Sequence, residues 1–110
     1  MSECYYVLTL EGETKAEPDV IRWAQWFHEH SQPSKDGGSA RHAGYSVRGD
    51  VLISTVFLGF DHGWGLGDPV LWETMVFGGS LGGEQARYRS REEAELGHAA
   101  MVRRVELTLE

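Results

Sequence analysis

The sequence lacks several features that would assign it to a large class of proteins at once. It has a single cysteine, Cys4, so no disulfide can form within the chain, and this suits a reducing compartment. No apolar run approaches the length of a membrane span. The N-terminus MSECYYVLTLEGE has neither the basic flank nor the long apolar stretch of a signal peptide. These absences predict a cytoplasmic protein without membrane attachment, and the run CYYVLTL predicts that Cys4 is a buried small side chain.

Basic residues are also too few for a general nucleic-acid-binding surface. The chain has 10 Lys and Arg against 17 Asp and Glu, a net charge of −7, whereas phosphate contacts require positive charge. The acidic residues are spread along the chain, and their densest patch, residues 92–95, is flanked by arginines. We interpret them as a solvated face, and we predict no direct contact with nucleic acid.

The motifs that usually carry catalysis or nucleotide binding are missing. The sequence contains no HExxH or CxxC spacing and no serine or cysteine framed as G-x-S-x-G. The glycine-rich stretch GFDHGWGLG leads into a strand through Pro69 and has no lysine, whereas a phosphate loop leads into a helix. The sequence therefore predicts no cofactor.

The length and the hydrophobic patterning predict one α+β domain over residues 1–110, with the element order β-α-β-β-β-α. We expect a single antiparallel sheet of about four strands with two helices packed on it. EGETKAE and GGSLGGEQARYR are predicted loops, and Gly49-Asp50 is a predicted two-residue hairpin turn. The predicted strands are residues 4–10, 45–48, 51–58 and 70–77, with a further short strand suggested at 105–109.

Both helices have recognisable signals. In the first, from Asp19 to about His30, Trp26 lies off the apolar stripe and is either a second packing residue or an exposed aromatic. That stripe contains Val20, Trp23, Ala24 and Phe27. The second helix begins after Ser90, which with Glu93 forms a capping box, and ends near Arg104. Its stripe contains Ala94, His98, Met101, Val102 and Val105.

The strand VLISTVFL is apolar on both alternating faces except at Ser54 and Thr55, which predicts a central strand covered on both sides. In the next strand, Glu73 lies on an apolar face together with Leu71, Met75 and Phe77. A buried carboxylate needs a partner or has a raised pKa. Glu73 is therefore either a functional carboxylate or a structural one paired with Arg87, Arg89, Tyr88 or His98.

Asp61 and His62 follow the strand that pairs with the strand of Glu73, so these three residues are candidates for one site at an end of the sheet. Such a site could move a proton or bind a metal. The alternative is that Asp61 caps the turn and His62 is half exposed. His98, on the apolar helix stripe, is a further catalytic candidate, although a histidine there is more typical of a core, and Gly97 beside it indicates a close approach to a neighbouring backbone.

Residues 61–69 form a loop, called here the Trp64 loop, that joins two paired strands. Trp64 lies between two glycines, so it either folds back onto the sheet or projects outward as an aromatic of the kind that anchors protein interfaces. The candidate partner-binding residues are Trp64, Trp26 and Asp68.

The block ISTVFLGFDHGWGLGDPVLWETMVFGG, followed by ARYRSREEAELGHAAMV, resembles a family of short uncharacterised proteins of phages and prophages. Its pattern runs STVFLGxDH, a glycine-rich gap, PxLWETMVFGG, then RY and EEAxxGH. The resemblance covers residues 53–102, nearly half of the chain, and touches the helix around VIRWAQWF. It assigns no role to any residue.

The resemblance implies a phage-type accessory protein that acts by stoichiometric binding to another protein, including inhibition of a bacterial defence system such as a CRISPR complex. Two other hypotheses stay open. One is a small metal-dependent or acid/base enzyme that uses Asp61, His62 and Glu73, and the other is a virion assembly factor. The chain could also form a homodimer.

Overall fold

The computed structural model describes residues 4–110, and the elements below are those of this range. Strands β1 and β2 form a two-stranded antiparallel sheet, and β3 to β6 form a four-stranded antiparallel sheet in the order β3-β4-β5-β6. The bounds are β1 Tyr6–Leu8, β2 Thr14–Ala16, α1 Val20–His30, β3 His42–Arg48, β4 Val51–Phe57, β5 Trp72–Phe77, β6 Gln85–Tyr88 and α2 Arg91–Thr108.

The α+β architecture with four strands in the main sheet is confirmed, but the membership of that sheet differs from the prediction. The first strand pairs with β2, inside the predicted turn EGETKAE, and does not enter the main sheet. Its place as a fourth strand is taken by β6, which lies inside a predicted loop and pairs with β5. Strands of three or four residues are too short to show a period of their own, so their partners define them.

Helix α2 packs on one side of the main sheet. Its four buried residues are Ala94, Met101, Val102 and Val105, all on the predicted stripe. The Ser90 side chain accepts a hydrogen bond from the amide of Glu93 at 3.1 Å, as the capping box predicts. The suggested strand at 105–109 is wrong, because Val105 is fully buried on the same stripe and the helix continues to Thr108.

Helix α1 and the β1–β2 hairpin extend the same side of the sheet at the end of β4. Trp26 meets the ring of Phe57 edge-on, with centroids 5.8 Å apart, and Phe57 meets Trp72 at 5.1 Å. The indole nitrogen of Trp23 donates to the carbonyls of Tyr6 and Gly59. The predicted α1 stripe is therefore wrong in part. Its side chains at Val20 and Ala24 are exposed, and Trp26, predicted off the stripe, packs toward the core.

Neither helix of residues 4–110 packs on the other side of the main sheet, where residues 34–39 lie against Tyr45. Along β4 the residues alternate between buried and half-buried, with Ile53 and Phe57 fully buried on the side of α2. The half-buried residues are Leu52, Ser54 and Val56, and the side on which they lie is called here the open face. The prediction that β4 is covered on both sides is wrong, because α1 and α2 share one side. Neither helix in the described range is long and apolar enough to cross a membrane.

Candidate functional site

Asp61 holds the backbone of the Trp64 loop. Its Oδ1 atom accepts hydrogen bonds from the amides of Gly63 at 2.7 Å and Val70 at 2.8 Å, and Oδ2 accepts from Gly65 at 3.1 Å. The amide of His62 also donates to the carbonyl of Val70, which closes the base of the loop. Asp61 thus has the turn-capping role that is typical of aspartate in tight loops.

The pKa of the Asp61 carboxyl reflects this role. Burial is the largest single influence and by itself would raise the pKa. The amide hydrogen bonds from Val70, Gly63 and Gly65, together with the positive charge of Arg89, outweigh burial and hold the pKa below its ordinary value. The carboxylate is therefore ionised at neutral pH and stabilises the loop through charge-assisted hydrogen bonds.

A second side chain holds the far half of the loop. Arg89, directly after β6, donates from Nε to the carbonyl of Asp68 at 2.9 Å and from Nη2 to the carbonyl of Leu66 at 3.4 Å. The amide of Leu66 also bonds to the carbonyl of Gly63. The two hydrogen bonds of Arg89 therefore connect the loop to the end of β6, which is separated from β4 by β5 in the main sheet.

This loop exposes two large apolar side chains. Trp64 is 89% exposed and Leu66 is 75% exposed. The alternative in which Trp64 folds back onto the sheet is wrong, because its φ angle of +59° takes the chain through a left-handed conformation and the side chain is left in solvent. A left-handed conformation in a bulky residue is costly, so the surrounding hydrogen bonds impose it.

The structure does not bring the candidate enzyme residues together. Asp61 is engaged by loop amides, and His62 stacks on Phe60 with ring centroids 4.2 Å apart and places Nδ1 3.0 Å from the Phe60 carbonyl. Glu73 lies on the open face, where Oε2 accepts a hydrogen bond from Nε of Arg87 at 2.8 Å. Over residues 4–110, no three His, Cys, Asp or Glu side chains are placed to hold a metal ion.

His98 lies on the opposite side of the sheet from Glu73, so these two residues do not form the internal network that the sequence allowed. His98 belongs to a chain of side-chain hydrogen bonds between α2 and the sheet, called here the polar chain. Gly44 lies beneath the imidazole, and a methyl group there would come within 2.5 Å of the ring. The polar chain consists of Tyr88, Thr74, Thr55, His98 and Ser46.

One direction of donation satisfies every member of the polar chain. The Tyr88 hydroxyl donates to Thr74 at 3.0 Å, Thr74 donates to Thr55 at 2.5 Å, and Thr55 donates to Nδ1 of His98 at 2.7 Å. Nε2 of His98 then carries the proton and donates to Ser46 at 2.8 Å. The imidazole is neutral in this arrangement, and the chain satisfies polar groups that would be costly to bury unpaired.

Both ring environments in this part of the fold favour neutral histidine. Burial, followed by the charge of Arg48, lowers the pKa of His98, and burial, followed by the charge of Arg41, lowers the pKa of His42. Between the lowered folded values and the ordinary value of 6.5, the unfolded chain binds protons that the folded chain does not. Stability is therefore lost as the pH falls through this window.

Acidification from about pH 7.5 to about pH 5.5 is expected to lower the free energy of unfolding, measured by urea denaturation. Replacing His98 with glutamine, which can keep both hydrogen bonds without titrating, should reduce that dependence, and the part due to His42 should remain. A free energy of unfolding that rises on acidification, or a His98→Gln variant with the dependence of the native chain, would contradict the assignment.

The remaining predicted residues have varied placements. Trp26 is part of the packing around Phe57, which does not support it as a contact residue, whereas Asp68 is exposed within the Trp64 loop. Cys4 is exposed, so the prediction of a buried thiol is wrong.

Sequence reasoning missed Leu66 and Arg89. Leu66 has the same signal as Trp64, an apolar residue between glycines, whereas the contact of Arg89 depends on tertiary structure.

No family model matches the chain, and no curated protein or solved structure matches it. The similarity to short phage and prophage proteins therefore stays an expectation from the motif pattern.

Proposed function

We propose that this chain is a phage-type accessory protein that acts by stoichiometric binding to another protein through the Trp64 loop. The observation that carries the proposal is a tryptophan 89% exposed on a loop whose backbone is held at several points. Tryptophan is among the residues most enriched at the energetic centre of protein interfaces. Its exposure here has no role in the packing of the fold.

The held backbone supports binding in a second way. A mobile loop loses conformational freedom when it binds, and this loss reduces affinity. Asp61 and Arg89 already fix the loop through hydrogen bonds to its amides and carbonyls. The loop therefore presents Trp64 and Leu66 together without an ordering step. A cleft in the partner that accepts both apolar side chains is the complementary surface.

The proposed partner is a component of a bacterial defence system. This part of the proposal rests on the resemblance expected from the motif pattern of residues 53–102, because small acidic proteins of phages commonly act by binding a host or phage protein. The net charge of −7 supports only the protein nature of the partner, because direct contact with nucleic acid requires positive charge.

The test is an affinity pull-down of tagged protein from bacterial lysate, read by mass spectrometry, with Trp64→Ala in parallel. We expect the native chain to retain a specific host protein and the variant to lose it, because truncating an interface tryptophan typically weakens binding by about 2–4 kcal/mol, or about 30-fold or more. Leu96→Ala, which truncates a 70% exposed side chain on α2, is the matched control.

Thermal unfolding of all three proteins separates binding from folding. We expect Trp64→Ala to unfold at the temperature of the native chain, since an exposed side chain contributes little to stability. Equal retention of the host protein by Trp64→Ala and the native chain would rule out the loop as the contact. If the native chain captures a host protein, light scattering of the purified complex should give a fixed ratio of the two proteins, as stoichiometric binding requires.

A further inference from the structure

The open face has a composition unlike that of an ordinary solvated sheet surface. In the register of the main sheet, Leu52 lies between Val47 on β3 and Phe77 on β5, so one cross-strand row is wholly apolar. Val47 is 56% exposed and Phe77 is 48% exposed. Met75 continues the apolar surface along β5, whereas on β4 Ser54 separates Leu52 from Val56, which lies between His42 and Glu73. Contiguous apolar surface on a folded protein marks an interaction site.

The open face is also electrically balanced. Its charged residues within the strands are Glu73 and Arg87, which lie opposite each other on β5 and β6 and form an ion pair at 2.8 Å. The whole chain has a net charge of −7, so two copies repel each other over most of their surfaces. That repulsion is weaker where two open faces meet, because the charges on the strands of each face are paired and the carboxylate of Asp36 lies only at the β3 end, near His42.

We propose that the open face is the interface of a homodimer in which the main sheets of two copies pack face to face. A two-fold axis parallel to the strands and midway between β4 and β5 places Leu52 of each copy over Phe77 of the other, since these residues are cross-strand partners. Two sheets packed in this way lie about 10 Å apart, and their strands stay within about 30° of each other.

The size of the open face limits the surface area that a dimer can bury. Four strands at about 4.8 Å spacing and the seven residues of β4 at about 3.4 Å set an upper limit of about 19 by 24 Å, or about 450 Å² per copy before the relief of the side chains is added, because β5 and β6 are shorter than β4. A specific interface buries about 1,000 Å² or more in total. Two copies would bury up to about 900 Å² before that relief is added, which is near this lower limit, so we expect a weak dimer in equilibrium with monomer.

Analytical ultracentrifugation over a concentration series tests the proposal directly. The native chain is expected to shift from monomer to dimer with increasing concentration, and Phe77→Lys is expected to raise the dissociation constant by about tenfold or more, because each copy would bring an unpaired charge into the interface. Leu96→Lys makes the same change of charge at a 70% exposed position on α2 and should dimerise like the native chain.

Two further variants make the outcome unambiguous. Val47→Lys repeats the test at a second exposed position of the same row, in case Phe77→Lys does not fold. Arg87→Gln leaves Glu73 uncompensated in both copies and is also expected to weaken the dimer. A native chain that is monomeric at every concentration would overturn the proposal, as would a dimer that persists unchanged in both lysine variants. Trp64→Ala should dimerise normally, so failure of the loop hypothesis would leave this inference standing.

Discussion

Replacing Phe57 with alanine is expected to lower the free energy of unfolding by about 3–5 kcal/mol. Phe57 is fully buried and contacts two other rings, Trp26 of α1 and Trp72 of β5. Removing it leaves a cavity at the place where α1 and the β1–β2 hairpin join the main sheet. The loss would be a large share of the roughly 5–15 kcal/mol that holds a typical domain folded.

Phe77→Ala is the matched control, because it removes the same atoms from a residue that is 48% exposed on the open face. Urea denaturation at low protein concentration, where the chain is monomeric, should give a loss of no more than about 1–2 kcal/mol for this variant. If Phe57→Ala and Phe77→Ala lowered the free energy of unfolding by similar amounts, Phe57 would not be a core residue on which the fold depends.

Replacing Gly97 with alanine is expected to destabilise the fold by about 1–3 kcal/mol. In an exposed helix the same substitution stabilises by about 1 kcal/mol, so the sign of the effect is diagnostic. A methyl group at Gly97 would overlap the ring and hydroxyl of Tyr88. Tyr88 cannot move away without breaking its hydrogen bond to Thr74, and its ring also packs against the cluster around Phe57.

A double-mutant cycle identifies the cause of that destabilisation. Once Tyr88 is replaced by alanine, the space beside residue 97 is free, so adding Gly97→Ala should cause no further loss. The free energies of unfolding are compared by urea denaturation for the native chain, both single variants and the double variant. A Gly97→Ala chain more stable than the native one would show that Tyr88 does not limit the approach of α2.

The local signals in the sequence predicted those parts of the fold whose causes are local. Val105 and its neighbours follow the helical period that buries one stripe of α2, and Ser90 caps that helix as its spacing from Glu93 indicates. The turn at Gly49-Asp50 joins β3 to β4, with Gly49 at φ +60°. These features depend on residues within a few positions of each other, so the sequence is sufficient to predict them.

The features that the sequence did not predict depend on contacts between distant segments. Residues 85–88 form strand β6 because they pair with the edge of β5. The open face has no helix over it because α1 packs on the same side of the sheet as α2. The sequence allows four partners for Glu73, and the register of β5 against β6 places Arg87 opposite it. The Trp64 loop is likewise held by Arg89, which lies more than twenty positions along the chain from the carbonyls of Asp68 and Leu66 that it contacts.

The hydrogen bonds that hold the Trp64 loop involve its backbone, so the shape of the loop does not depend on which side chains it exposes. Asp61 bonds to amides and Arg89 bonds to carbonyls, groups that nearly every residue possesses. Position 66, and position 64 for side chains that tolerate its left-handed backbone, can therefore accept other side chains while the loop keeps its path. In an encounter between a binding protein and a changing target, these two positions could adapt to new surfaces by single substitutions, with no need to rebuild the scaffold beneath them.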